Sequence, residues 1–380
     1  MKDYKSLFKL RSEDHYLNCA YMSPVLQSVE EAGIRALEKR RNPQDFGLDD
    51  FFSPVSKLKA LFSRLINNSD PERIALIPSV SYGLANAANN VIVKKGGNIV
   101  LLEGQFPSNY YIWKRLADQS GAKIKMIARP KAGELWTDLI LESIDSHTIA
   151  VSMAPIHWAD GYKFDLESIG RKCNACEAFF ILDGTQSIGA MPFDLARCQA
   201  DAVICAGYKW LLGAYGMGMA YYGPRFDNGN ALEESWYAKI GSDEFAGLVD
   251  YCEEFRPKAW RYSVGESSNF IYVDMLLAAL TQILEWRVET ITTHCKEIST
   301  SFKERLQQIG FHTENSLNLS EHLFGLLPPE NFFFETFQEL CVEHRVFVSK
   351  RGDFIRVSPH LYNTPNDFLA LETCLKNSII

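Results

Sequence analysis

The sequence predicts an α/β protein, with a mainly parallel seven-stranded sheet flanked by helices and a smaller α+β domain beside it. Three observations carry this. Seven short apolar runs, RIALIP, NIVLLE, KIKMIA, TIAVSMA, FFILD, AVICAG and GMGMAYYG, are rich in branched or aromatic residues and bounded by Gly, Pro or polar turns, as strands buried on both faces are. Helix-like stretches at 82–93, 108–120 and 165–176 separate several of them, which suits right-handed crossovers in a parallel sheet. With 380 residues and 47% hydrophobic composition, the chain can bury a large core and divide it between a major and a minor domain.

In chain order, an N-terminal arm precedes PVLQSVEEAGIRALEKRR, a helix because Val25, Val29, Ile34 and Leu37 recur at helical spacing. Pro43 is expected to end it. A second helix is expected at 55–66, and the seven runs then follow. From Phe270 a long helical stretch through MLLAALTQILEWRVETI leads into HLFGLL, a helix FFFETFQELCVEH, and the strand-like RVFVSK and FIRVSP. The expected boundaries are 16–265 for the large domain, with 1–15 and 266–380 forming an arm and the smaller domain. Gly223 to Gly229 is the most loop-like stretch in the middle of the chain.

Composition narrows the function. The chain carries 47 acidic and 39 basic residues, a formal charge of -8, and no basic stripe to neutralise a phosphate backbone, so nucleic acid is not an expected partner. No apolar run reaches the ~18 residues that span a bilayer, and MKDYKSLFKLRSEDHY lacks the apolar core of a signal peptide. A cytoplasmic location and no membrane partner are expected. The nine cysteines are scattered, which argues for reduced thiols. Cys173 and Cys176 have C-x-x-C spacing in a helical stretch, with no second ligand pair to complete a zinc site.

In parallel sheets, ligands bind beyond the carboxyl ends of the strands, and the chemistry is sought there. Asp183 ends FFILD, where a buried carboxylate needs a cationic partner; a turn-forming Asp is the alternative. Lys209 follows AVICAG and precedes the glycine-rich WLLGAYGMG, and a lysine at a buried strand end is costly unless its amine is deprotonated or covalently used. As a lone residue it would read as a solvated loop lysine. Ser79 and Ser81 precede a helix whose free N–H groups suit an anion, or Ser81 is simply its N-cap. His157, Trp158 and Asp160 in PIHWADG follow another strand run, where His157 is either an acid or base, or a structural histidine.

These residues resemble the class V aminotransferase family, the cysteine-desulfurase-like branch of the fold-type I enzymes that use pyridoxal phosphate (PLP). The resemblance runs from YLNCAYMSP through IPSVSYGLANAANN, EGQFPSNYYIW, ILDGTQSIG, CAGYKWLLGAYGMG and RYSVGESSNF to FIRVSPHLYNT, seven motifs in family order. It implies that Lys209 holds PLP as a Schiff base, Asp183 pairs with the pyridine nitrogen, Gln186 approaches the ring oxygen and Phe106 stacks on the ring. Tyr208 would donate to the phosphate; the family's hydroxyl three residues before the lysine is Ala206 here, so the phosphate must lean on Ser79, Val80 and Ser81. Ser267, Ser268 and Asn269 match the segment that reaches a neighbouring subunit's phosphate, which implies a homodimer with shared sites. Arg356 matches the arginine that grips the substrate α-carboxylate, a task for a guanidinium fork, and His157 and Trp158 fall where relatives face the ring or the substrate.

An amino-acid substrate follows, with an aminotransferase as the first expectation. The alternatives are an epimerase or racemase, and a kynureninase-like C–C or β-elimination lyase. Desulfurases carry a nucleophilic cysteine on a loop shortly before the carboxylate-binding arginine. Here SKRGDFIRVSP runs straight into the Arg356 strand and Cys341 belongs to the preceding helix, so desulfurase ranks low. A PLP-fold binding module would be expected to have lost Lys209, Asp183 or Arg356, and none is lost. A nucleotide-binding fold would need a G-x-G-x-x-G turn or a P-loop, and neither is present.

Overall fold

The computed structural model describes residues 4–131, 133–314 and 316–379. The arm supplies a short strand, β1 (His15–Tyr16), and two helices follow, α1 (Gln27–Lys39) and α2 (Leu48–Leu65). Helix α1 ends at Lys39, and Pro43 opens a separate 3₁₀ turn. Helix α2 begins seven residues before its expected start, because the Gly47 N–H donates to the Asp50 carboxylate at 2.9 Å and fixes the first turn there. Pro54, a usual helix breaker, is carried inside it.

The strand-like runs then alternate with helices: β2 (Ile74–Ile77), α3 (Val80–Asn89), β3 (Asn98–Leu102), α4 (Ser108–Ser120), β4 (Lys123–Ile127), α5 (Trp136–Ser143), β5 (Thr148–Met153), α6 (Leu166–Ala175), β6 (Phe179–Asp183), the single-turn α7 (Leu195–Cys198), β7 (Ala202–Ala206) and β8 (Gly218–Tyr222). They form one seven-stranded sheet in the order β2-β8-β7-β6-β5-β3-β4. Only β8 is antiparallel to its neighbours, so the other six strands share one direction. Alternation along each strand divides the side chains between two cores. Val100, Val151, Phe180, Leu182 and Val203 pack with α2 and the later helix α8 (Phe270–Trp286), whereas Ile99, Leu101, Ile181 and Ile204 pack with α3 and α4.

The long helical stretch after Phe270 divides at Arg287, whose φ of 68° lies in the left-handed region, into α8 and α9 (Val288–Gln307). Beyond it come β9 (Phe324–Leu326), α10 (Phe334–Glu343), β10 (Val346–Phe347), β11 (Ser349–Arg351), β12 (Phe354–Val357) and α11 (Pro365–Lys376). Strands β11, β12 and β9 make a small antiparallel sheet over a third core that includes Phe302, Phe337 and Leu371. Strand β10 pairs in parallel with β1, which ties the arm to this part of the chain. The small sheet meets the loop after β5 at close range: Gly325 N–H donates to Asp160 O at 2.9 Å, and Ser320 N–H to Gly161 O at 3.0 Å. Among the described residues, no helix is long and apolar enough to cross a membrane.

Candidate active site

The carboxyl ends of β2, β3, β5, β6 and β7 open into one cavity of about 240 Å³, the position expected for ligands of a parallel sheet. Lys209 enters it from the loop after β7. Gly207 N–H donates to Met217 O at 2.9 Å, and a Cβ at Gly207 would fall 2.5 Å from that oxygen, so only glycine lets the loop turn this tightly. Leu212, at φ 56°, donates its N–H to Lys209 O at 3.1 Å and closes the turn. The lysine is 7% exposed. Among the described residues its Nζ forms no hydrogen bond or ion pair, and it lies 5.6 Å from the ring centres of both Phe106 and Tyr208. Burial, aided by the charge of Arg356, pushes the amine down to about 8.

Asp183 ends β6 inside the same cavity, and one carboxylate oxygen accepts the Thr185 N–H at 3.1 Å. Burial raises its carboxyl, while Thr185 and the Lys209 charge oppose the shift. Gln186 also lines the cavity, but its amide is largely engaged. Its Nε2 donates to Ala20 O at 3.1 Å, its Oε1 accepts the Trp210 indole N–H at 2.8 Å, and one N–H remains for a ligand. Behind it, buried His322 faces Gln186 O through Nε2 at 2.7 Å.

The anion-binding end is more extensive than the sequence indicated. Ser79 is the N-cap of α3, its hydroxyl accepting the Tyr82 N–H at 3.2 Å, so the capping alternative holds for Ser79 and not for Ser81. Ser81 instead donates to the Ser108 hydroxyl at 3.1 Å. The N–H groups of Val80 and Ser81 belong to the first turn and have no helical partner. Helix α4 begins at Ser108, and Ser108 and Asn109 also line the cavity, so two helix N-termini converge on it. The buried Asn109 carboxamide accepts from Ser152 at 2.6 Å and Trp113 at 3.1 Å, which locks that corner. The missed signal was Pro107 followed by Ser-Asn at the head of a 13-residue helix.

Phe106, with its ring edge-on to Trp158 at 5.4 Å, and Tyr208, with its ring 4.5 Å from that of Tyr215, form the apolar walls. His157 and Trp158 also line the cavity, but both ring N–H groups are directed at one backbone oxygen, Gly104 O, at 3.2 and 2.7 Å. His157 Nδ1 lies 3.0 Å from Asp160 without hydrogen-bond alignment, and Asp160 itself pairs with Arg129. Burial and the Arg129 charge push the imidazole down to about 3. With Nε2 held by Gly104 O, the ring has the hydrogen-bonded setting of a structural histidine on the cavity wall.

A second hollow of about 420 Å³ shares Phe106, Trp158, Tyr208 and Lys209 with the first and adds Arg351 and Arg356. Arg356 is 1% exposed; its Nη1 donates to Trp158 O at 3.1 Å, while Nε and Nη2 are buried without partners. Ser267, Ser268 and Asn269 line neither hollow in this chain. The Ser267 hydroxyl donates to Val264 O at 2.5 Å, Asn269 caps α8, and Ser268 borders a groove with Lys39 and Asp274.

Aminotransferase class-V sequences match residues 48–322, which carry the cavity and both helix N-termini. The chain belongs to the aminotransferase class-V family. It is 25% identical to the uncharacterized aminotransferase YcbU of Bacillus subtilis over 376 residues, 96% of this chain and 95% of that one. Its fold is that of the apo cysteine desulfurase of Thermococcus onnurineus (TM-score 0.86, 18% identity, covering 100% of this chain and 98% of the other). It also matches a C-DES mutant with glycine covalently linked to its PLP cofactor (TM-score 0.87, 17% identity, covering 99% and 100%). As a class-V aminotransferase of fold type I, the protein is a PLP-dependent enzyme. The residues present fit that cofactor: a buried amine without a partner among the described residues, a buried carboxylate in the same cavity, and the first-turn N–H groups of Val80 and Ser81 at the start of α3 beside the Ser108 hydroxyl.

Proposed function

We propose that the protein is an aminotransferase acting at the α-carbon of an amino acid. The observation that carries this is the shared hollow, in which a buried lysine amine without a partner and a buried guanidinium with two free nitrogens meet at one opening. Bound PLP supplies an aldehyde that condenses with amines and a protonated ring that withdraws electrons from the carbon being deprotonated.

The chain's own groups divide the remaining work. Lys209 would hold the cofactor and would move the proton at the α-carbon; its amine, depressed to about 8, is partly in the basic form this requires. Asp183, kept from water, holds the proton on the ring nitrogen. Phe106, Gln186, Tyr208, Val80, Ser81 and Ser108 line the same cavity; Phe106 would cover the ring, the remaining N–H of Gln186 would serve its oxygen, and the Tyr208 and Ser108 hydroxyls with the N–H groups of Val80 and Ser81 would hold the phosphate. Arg356 offers Nε and Nη2 to the α-carboxylate and so orients the substrate.

The proton inventory favours transamination over epimerisation. Among the described ionisable groups lining the cavity, the His157 imidazole is lowered by burial with its Nε2 held by Gly104 O, the Tyr208 phenol is raised further by burial, and Tyr215 is exposed beside Tyr208. Lys209 is the buried amine in this set, and it would carry a proton on its own side of the substrate. One amine on one side suits transfer between the α-carbon and the adjoining cofactor carbon, whereas inversion needs a donor on the opposite face. Desulfurase chemistry ranks lower for two reasons: Gly352 and Asp353 alone join β11 to β12, and no cysteine lines either hollow. A homodimer is part of the proposal, supported by the exposed apolar residues Val25, Ile34 and Leu37 around a groove that also includes Ile271 and Met275.

The test is an absorbance screen of amino acids against the holoenzyme. Transamination gives a lasting shift to the pyridoxamine form that a keto acid reverses. Solvent deuterium incorporated at the α-carbon without that shift would sink the aminotransferase reading and support epimerisation.

A further inference from the structure

Arg351 and Arg356 stand on the same face of the β11–β12 hairpin. Arg351 pairs in register with Phe354, which lies two residues before Arg356 on β12, and the connecting turn is only Gly352 and Asp353. Both side chains line the second hollow together with Lys209, and no Asp or Glu lines it. Among the described residues neither arginine forms an ion pair, although Arg73, Arg129, Arg256 and Arg305 all find carboxylates. Arg351 Nη1 donates only to Lys350 O, at 2.7 Å, and Arg356 Nη1 only to Trp158 O. The two guanidinium centres lie 5.6 and 5.8 Å from the centre of the Trp158 ring. Asp353, in the turn itself, is exposed and pairs with neither.

Two like charges converging on a partly dry hollow repel each other, and the arrangement is relieved when anionic groups enter. One α-carboxylate accounts for one guanidinium, the buried one. Arg351 is left over, nearer the mouth and only partly buried, where a substrate's side chain would lie. We propose that Arg351 reads a second anionic group, so that the substrates are acidic amino acids bearing a side-chain carboxylate. The inference rests on the amino-acid reading above and extends it to a substrate class.

The test uses the holoenzyme in two measurements. Calorimetric titration with glutarate and with butyrate, which carry no amine, compares one carboxylate with two. Glutarate binds at least ~10-fold more tightly, the size of one added charge-assisted contact. In steady-state kinetics, Arg351→Gln lowers the ratio of kcat/KM for glutamate over glutamine by ~30-fold. Arg351→Lys, which keeps the charge, recovers part of that ratio and shows that the loss is not a folding defect. Equal binding of glutarate and butyrate overturns the inference, as does an equal loss for both amino acids in Arg351→Gln. Failure of the underlying reading looks different, because no amino acid, acidic or neutral, would then perturb the cofactor absorbance.

Discussion

At the scale of single residues, the site is a set of charged and polar groups whose partners are missing from the chain. Lys209 and Asp183 are buried in one cavity, and each is shifted toward its neutral form by burial. Asp183→Asn removes the charge that holds the ring proton, and kcat is expected to fall by ~100-fold or more with the fold retained, read from steady-state rates beside circular dichroism. The buried histidines make a separate prediction. His157, His322 and His360 are pushed down from 6.5 to about 3, 4 and 3 respectively. Their folded values lie below the unfolded one, so the unfolded chain binds more protons between these limits, and stability falls as pH drops below about 6.5. Urea midpoints measured from pH 7 to pH 5 are expected to decline, each histidine contributing up to ~1.4 kcal/mol per pH unit. His360→Phe, in a pocket already lined by Phe8, Trp286 and Tyr362, is expected to flatten that slope; an unchanged slope would contradict the assignment. Asp183 ends an apolar run, Arg356 lies within one and Lys209 follows one two residues on, and the family resemblance of the flanking motifs singled them out. Ser108 was not legible, because its role depends on α3 and α4 bringing their first turns together. The lowering of the His157 imidazole rests on its burial and on the charge of Arg129, neither of which is visible in the PIHWADG segment itself.

At the scale of elements, strand ends and helix starts were readable wherever local chemistry decides them. The seven runs became seven strands because β-branched and aromatic residues end at Gly, Pro or polar turns. Helix α4 begins and ends where its pattern placed it, closed by Gly121 at φ 74°. Three features were hidden. The reversed direction of β8 is a matter of pairing, the start of α2 is set by the Asp50 cap despite Pro54, and the break at Arg287 is a backbone torsion within an unbroken helical pattern. The contact between the loop after β5 and β9 positions the small sheet, and hence Arg356. Gly161, at φ 82°, has no room for a side chain, since a Cβ would fall on the Leu323 carbonyl oxygen. Gly161→Ala is expected to cost about 3 kcal/mol and to raise KM more than it lowers kcat, because Arg356 moves while Lys209 stays on its own sheet. Denaturation and kinetics on the same preparation check both parts.

At the scale of the whole molecule, one sheet supplies the cofactor cavity and the small sheet supplies the arginines that close its mouth. The family resemblance in the sequence extended to this arrangement. It did not extend to Arg351, which the sequence shows only as the residue before a turn. The apolar face of α1 belongs to the same scale. If it is covered by a second copy, sedimentation should give twice the 43.1 kDa chain mass, and Ile34→Glu should shift the protein toward the monomer with loss of activity. A monomer in the unsubstituted protein would contradict the dimer proposal. The most direct test of the central claim is borohydride reduction of the intact yellow protein, followed by digestion and mass mapping of the cofactor-modified peptide. The expected result is a pyridoxyl phosphate adduct on Lys209, absent in Lys209→Ala; an adduct on another lysine, or none, would contradict the account.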